Sequence, residues 1–174
     1  MPKRAFAIIL LGASLGLLDG RAQAQGFAVG VGAGPVDPQG FETAPWFTAH
    51  VQWKLRKNWW IEPEVGYWKK TQTTPGTENS VKDLSLGVNL LYYIPRKRLS
   101  YFAGAGLGAH AIRSSFDVRG YDAQSDRQLK QALQLLAGLD YNLGVGLSLF
   151  GAFRFDAIAD LSQSKVYGGV RVKP

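Results

Sequence analysis

The sequence predicts an all-β chain, an eight-stranded antiparallel up-and-down transmembrane β-barrel with short periplasmic turns and long extracellular loops. Three observations predict it. Eight segments alternate large apolar residues with polar or small ones at period two, the side-chain period of a strand. The connections between them alternate long and short. Charged side chains fall on only one face of the alternation.

The first half supplies four segments. Residues 26–34 set Phe27, Val29, Val31 and Ala33 against Gly30, Gly32 and Gly34. Residues 46–55 set Phe47, Ala49, Val51, Trp53 and Leu55 against Thr48, His50, Gln52 and Lys54. Residues 59–68 set Trp59, Ile61, Pro63, Val65 and Tyr67 against Glu62, Glu64 and Gly66. Residues 83–94 are the clearest, with Leu84, Leu86, Val88, Leu90, Tyr92 and Ile94 opposing Asp83, Ser85, Gly87 and Asn89.

The second half repeats the pattern. Residues 100–112 oppose Tyr101, Ala103, Ala105, Leu107, Ala109 and Ala111 to Gly104, Gly106, Gly108 and His110. Residues 133–141 oppose Leu133, Leu135, Ala137, Leu139 and Tyr141 to Gln134, Gly138 and Asp140. Residues 145–156 oppose Val145, Leu147, Leu149, Gly151, Phe153 and Phe155 to Ser148, Arg154 and Asp156. Residues 165–173 oppose Val166, Gly168, Val170 and Val172 to Tyr167, Gly169, Arg171 and Lys173.

Long polar connections at 35–44, 69–82, 113–132 and 157–164 alternate with short ones at 56–58, 95–99 and 142–144. Long loops at one end and tight turns at the other mark a bacterial membrane barrel, and an even strand count returns both termini to the turn side. Residues 113–132 are expected to form a mobile loop with room for a short helix at 126–132. Pro63, which cannot donate a ladder hydrogen bond, predicts a bulge near 62–64.

The orientation of the two faces follows from energetics. None of the apolar-face positions is Asp, Glu, Lys, Arg or His. The other faces carry Lys54, Glu62, Glu64, Asp83, Asp140, Arg154, Asp156, Arg171 and Lys173, with His50 and His110. One Lys or Arg facing lipid at the midplane costs ~2–4 kcal/mol, so these groups belong in the lumen. Enclosed there they must pair with one another or with trapped water. An eight-stranded interior is just wide enough for side chains to fill. The alternate glycines are therefore expected to make room for Glu64, Arg154, Phe150 and Tyr93, giving a plugged lumen. Two aromatic bands are expected at the interfaces: Trp53, Trp59, Trp60, Tyr92, Tyr93, Tyr101 and Tyr141 near the turns, and Trp46, Phe47, Tyr67, Trp68, Phe153 and Phe155 near the loops.

Export is written at the N-terminus. Lys3 and Arg4 precede an uncharged run to Leu18, and Ala22-Gln23-Ala24 is a small-x-small cleavage site, so residues 1–24 read as a signal peptide and 25–174 as one barrel domain. Asp19 and Arg21 interrupt the run too early for a spanning helix. Cysteine is absent, leaving stability to packing and hydrogen bonds.

On these segments the chain resembles the OmpA/OmpX-like small outer-membrane β-barrel family. The resemblance rests on Tyr101-Phe102-Ala103-Gly104-Ala105-Gly106-Leu107-Gly108, the strand–turn–strand unit 133–155, and the closing Tyr167-Gly168-Gly169-Val170-Arg171-Val172. That last segment is similar to the assembly signal such proteins present to the barrel-insertion machinery. Family members commonly end in an aromatic residue, whereas this chain ends Lys173-Pro174, which predicts less efficient assembly. The resemblance implies a monomer in the outer membrane of a Gram-negative bacterium, in contact with outer-membrane lipid and lipopolysaccharide. Its members act as structural anchors, adhesion or resistance factors, narrow pores and, in some branches, lipid-modifying enzymes.

The residues favour a non-enzymatic surface-interaction role through the extracellular loops, with a narrow ion or small-solute pore as the alternative. His50, Lys54, Glu62, Glu64, Asp83, His110, Asp140, Arg154, Asp156 and Arg171 form the expected lumen charge network, a structural rather than catalytic set. The carboxylates Glu62, Glu64 and Asp156 invite an acid–base reading, and the histidines with Ser85 or Ser148 a hydrolase-like one. The membrane lipid A deacylases instead resemble a His-x-Ser-Asn pattern that is missing here. Two histidines without cysteine give no metal-ligand spacing, and no cofactor is expected. The Gly-x-Gly runs lie inside strands without a following helix, so they do not cradle a nucleotide. The scattered cations, without a basic helix or nucleic-acid motif, give no nucleic-acid partner. Arg56-Lys57 and Arg96-Lys97-Arg98 read as solvated turn residues. A soluble lipocalin-like binder with the apolar faces turned inward is the remaining architecture.

Overall fold

The computed structural model describes residues 26–75, 77–118, 124–159 and 161–173. The expected signal segment, 1–24, and Pro174 lie outside them. Eight strands follow one another: β1 (Phe27–Pro38), β2 (Ala44–Arg56), β3 (Trp59–Thr74), β4 (Thr77–Arg96), β5 (Leu99–Val118), β6 (Gln124–Gly144), β7 (Leu147–Ile158) and β8 (Gln163–Val172). Each is antiparallel to the next, and β1 pairs with β8, from Val29↔Val172 to Pro38↔Gln163, which closes the barrel. Closure removes the free sheet edge that an open sheet would leave unpaired.

The period-two alternation is realised as two chemically distinct surfaces. Leu84, Leu86, Val88 and Leu90 point outward and are about half exposed, while Asp83, Ser85 and Asn89 between them are buried. The apolar surface faces away from the barrel axis and the polar one fills it, the inverse of a soluble lipocalin. No helix among the described residues is long and apolar enough to cross a membrane; such a barrel crosses with its strands.

The main departure from the sequence reading lies at the loop end. Residues 69–82 and 113–132 are mostly ladder rather than loop. β3 and β4 stay paired to Thr74↔Thr77, β4 and β5 to Thr77↔Val118, and β5 and β6 to Phe116↔Gln124. Residues 126–132, read as part of a mobile loop with room for a short helix, are β6 strand. The β2–β3 register ends at Trp46↔Trp68 and β6–β7 pairing starts at Ala132↔Ile158. A four-stranded sheet of 69–74, 77–82, 113–118 and 124–131 therefore rises beyond the barrel wall with two free edges. Its residues show no sustained apolar periodicity because, beyond Val81 at its base, most of them are exposed or half-buried on both faces. They are strands because the barrel below sets the register and each further pair only extends an existing ladder.

Two smaller corrections concern single residues. No bulge forms at Pro63: the register runs unshifted from His50↔Glu64 to Trp53↔Ile61, leaving Pro63 unpaired toward β2, while it stays in step with Val88 on β4. The irregularity falls instead at Lys54/Arg56. Val145, expected on a strand face, sits in the β6–β7 turn with φ of 46°, between Gly144 at 91° and Gly146 at 74°. Three successive left-handed residues need glycine at two of the places, which is why the turn is built there. Asn142 Oδ1 accepts from Gly144 N at 2.8 Å and fixes it.

At the loop end, the 39–43 connection leans on the rising sheet. Lys70 Nζ donates to Thr43 O at 3.3 Å and pairs with Glu42 at 3.0 Å. Hydrogen bonding to the exposed Glu42 carboxyl from Lys70 and Gln72, with the Lys70 charge beside it, holds it below the usual carboxylate range.

Candidate functional site

The inward side chains form two polar clusters with aromatic rings between them. The cluster nearer the short turns is centred on Arg171 of β8. Its guanidinium is ion-paired to Asp140 of β6 and donates to Tyr93 Oη at 3.1 Å and to His50 Nε2 at 3.2 Å. Glu62 lies 3.8 Å from the same guanidinium and accepts from Gln52 at 2.6 Å and Asn89 at 3.2 Å. Asp140 also takes Ser148 Oγ at 3.4 Å and Lys173 Nζ at 3.1 Å.

The cluster nearer the loops is centred on Arg154 of β7, which is ion-paired to Glu64 and donates through Nε to Asp156 at 2.6 Å. Asp156 in turn holds Lys165 Nζ at 2.5 Å. Asp83 accepts from Trp68 Nε1 at 3.2 Å and Gln163 Nε2 at 3.2 Å, and its Oδ2 lies 2.7 Å from His110 Nδ1. Glu62 and Glu64, two residues apart on one face, thus belong to different clusters.

A ladder of rings separates and joins them. His50 meets Phe150 at 5.1 Å, Phe150 meets Tyr167 at 5.9 Å, and Tyr167 meets Trp46 at 4.6 Å. The cations lie over this ladder: Arg171 is 4.5 Å from the Phe150 ring and Lys165 4.7 Å from Trp46. These contacts give the guanidinium and ammonium groups a second favourable surface inside a medium that penalises bare charge. Glycines open the space, as expected for Phe150, which a Cβ on Gly32 would meet at 3.0 Å, and also for other partners: a Cβ on Gly30 would collide with the His50 ring, and one on Gly108 with the Gln134 amide.

Nine of the ten residues of the expected network are buried and engaged as described. Lys54 is not. It has the right parity but stands at the turn-side rim, exposed, opposite Trp60 in register, with its main-chain N–H bonded to Gly26 O at 2.6 Å. Lys165 takes the place it was expected to fill. Trp46 and Trp68, expected in the outer aromatic band, point inward and are fully buried, and Tyr93 and Trp60 also turn inward. Parity would have found them: Trp46 shares it with Thr48 and His50, Trp68 with Glu62 and Glu64, and Lys165 with Arg171. Trp59, Tyr92, Tyr101 and Tyr141 at one end, and Phe47, Tyr67 and Phe153 at the other, do face outward.

The two histidines do not converge on a serine. His50 belongs to the Arg171 cluster, His110 to Asp83, and Ser148 donates to Asp140. Among the described residues no group of His, Cys, Asp or Glu is arranged to hold a metal ion. What the site does chemically is neutralise and fix charge across the interior.

Comparison with known proteins fits this arrangement. The family model described as outer membrane protein beta-barrel domain matches residues 5–173. The chain belongs to that family. No curated protein sequence matches it significantly. Among solved structures, Neisserial surface protein A is similar at a TM-score of 0.69 and 18% identity, covering 85% of this chain and 97% of that one. Ail, the attachment invasion locus protein of Yersinia pestis, follows at 0.61 and 15% identity, covering 84% and 95%. A major outer membrane protein from Thermus thermophilus is similar at 0.63 and 13% identity, covering 84% and 98%. At these identities the likeness is one of fold: this outer-membrane barrel shares their closed wall.

Proposed function

We propose that this outer-membrane barrel is a non-enzymatic protein of the Gram-negative cell surface, exported through a cleaved signal peptide. Its rising β3–β6 sheet and neighbouring loops do the binding, and its lumen serves only as a structural core. The observation that carries the reading is the division of labour along the axis. Inside the wall each buried charged side chain is paired with another, and Arg154, Asp156 and Lys165 are fully buried. Beyond the wall, two strand edges of a sheet lack a neighbouring strand, and most of the sheet's residues are exposed. Two of its fold neighbours carry names that place them at the surface or in attachment, which agrees with this assignment.

The test shortens the sheet without touching the wall. Lys70 and Val81 are register partners, so an Asn-Gly turn can join them directly. The shortened barrel is expected to keep heat-modifiable gel mobility while cells displaying it lose attachment to host matrix. Undiminished attachment would reject the β3–β4 half of the sheet as the binding element, and the same shortening of β5 and β6 between Ser114 and Asp126 tests the other half.

A narrow pore is the competing reading, and it requires the Arg154–Glu64 and Arg171–Asp140 pairs to part together. Planar-bilayer recordings at high salt are expected to show no channel events above background. Stable unitary steps, abolished on closing the lumen further, would reject the plugged scaffold.

A further inference from the structure

Where the rising sheet leaves the barrel wall, its outer face is banded. Tyr67, Leu84, Ala111 and Leu129 form one in-register row across β3, β4, β5 and β6, each exposed. The next row outward is Lys69↔Lys82↔Arg113↔Arg127, four cations on four adjacent strands, directly paired. The row beyond is Thr71↔Ser80↔Ser115↔Ser125, four hydroxyls. Apolar, cationic and hydroxyl rows follow one another at ~7 Å steps, two residues of strand rise.

Like charges directly opposite on a sheet repel and weaken it. Here the repulsion repeats at three successive pairings, and among the described residues none of the four cations has a carboxylate partner. Glu78 comes only two same-face rows further out, and Asp126 is bonded to Gln128 at 2.7 Å. A shallow groove of about 550 Å³ lies along the first two rows, lined by Leu84, Leu129, Lys82, Arg113 and Arg127. Among the described residues the arrangement has no counter-charge, and it stands at the upper margin of the lipid-facing surface.

We propose that this face is a binding site for the phosphorylated headgroup of a glycolipid in the surrounding outer leaflet. The apolar row meets the tops of the acyl chains, the cationic row the phosphates, and the hydroxyl row the sugar. The row is not level. Lys69 lies ten residues from the start of β3, while Arg127 lies seventeen from the end of β6. With strands tilted ~40°, four strands at ~4.8 Å spacing climb roughly 9 Å. The cations thus reach phosphates at more than one height, as on a headgroup carrying several. This assignment is independent of what the sheet's edges bind.

The experiment titrates fluorescent lipid A carrying both phosphates into the refolded full-length barrel in neutral-detergent micelles. Two charge-matched variants are compared, K69Q/K82Q/R113Q/R127Q and the turn-side control K57Q/R96Q/K97Q/R98Q, with folding checked by heat-modifiable mobility. Removing the row is expected to weaken binding at least about tenfold, with the control changing it less than about threefold. Dephosphorylated lipid A is expected to bind the unaltered protein at least about tenfold more weakly, and millimolar inorganic phosphate to leave lipid A bound. If the quadruple variant does not refold, K82Q and R113Q singly are expected to weaken binding by about threefold each. Equal loss in both quadruple variants would overturn the site in favour of overall charge. Displacement of lipid A by inorganic phosphate would make it a free-anion site.

Discussion

Arg154 sits fully buried between Glu64 and Asp156, with its guanidinium 5.7 Å from the Trp46 ring. Removing one member of such a set leaves the others charged, buried and short of a partner. Arg154→Met is therefore expected to destabilise the barrel by ~3–5 kcal/mol, measured by urea unfolding in lipid vesicles. The double variant Arg154→Met with Glu64→Met should recover much of that loss, because Asp156 keeps Lys165 at 2.5 Å. A single variant within experimental error of the parent would show that the lumen tolerates an unpaired carboxylate. At this scale the sequence was informative but incomplete. Alternation tells which way a side chain points and not how far along the axis it stands. Lys54 and Gln52 share a face, yet Gln52 lies within the wall and Lys54 past its end. Trp46 and Trp68 have the same lesson: aromatic chemistry suggests an interface, but an inward parity buries them beside Lys165 and Asp83.

The strands show a different limit. Within the wall, each alternates because one side meets lipid and the other a polar core, so residues 83–94 were legible throughout. Above the wall that contrast disappears, and the polar residues of 69–82 and 113–132 looked like loops. Pairing between neighbours, which no single segment encodes, makes them sheet. Pro63 is the local counterpart: it takes its place on β3 without a bulge because its missing donor falls on the β2 side, where the ladder simply lapses. Pro63→Val restores that donor and is expected to stabilise the barrel by about 0.5–1.5 kcal/mol, read as a shift in urea midpoint at constant slope. A destabilised variant would mean that the proline's rigidity outweighs the lost bond.

For the whole molecule, the decisive property is that the barrel is polar inside and apolar outside. Val88 lies midway along the outward face of β4 and is about half exposed. Val88→Arg is expected to cost ~2–4 kcal/mol in a bilayer and far less in a shortened-chain detergent, where the head group reaches water. Equal cost in both media would place Val88 away from the lipid midplane. The lumen clusters, shielded from solvent, should respond little to added salt, unlike the exposed cations of the rising sheet.

The sequence by itself determined the architecture: eight strands, their faces, the ends at which turns and loops lie, and the inward set of Glu62, Glu64, Asp83, Asp140, Arg154, Asp156 and Arg171. It could do so because a barrel wall between lipid and a polar core imposes a two-residue period that is written into every strand. Tertiary structure alone decided the rest. The splitting of Glu62 from Glu64, the exchange of Lys54 for Lys165, and the alignment of Lys69, Lys82, Arg113 and Arg127 depend on inter-strand register. Register is a relation between strands. It places residues far apart in the chain at the same height, and no periodicity within one strand records that height.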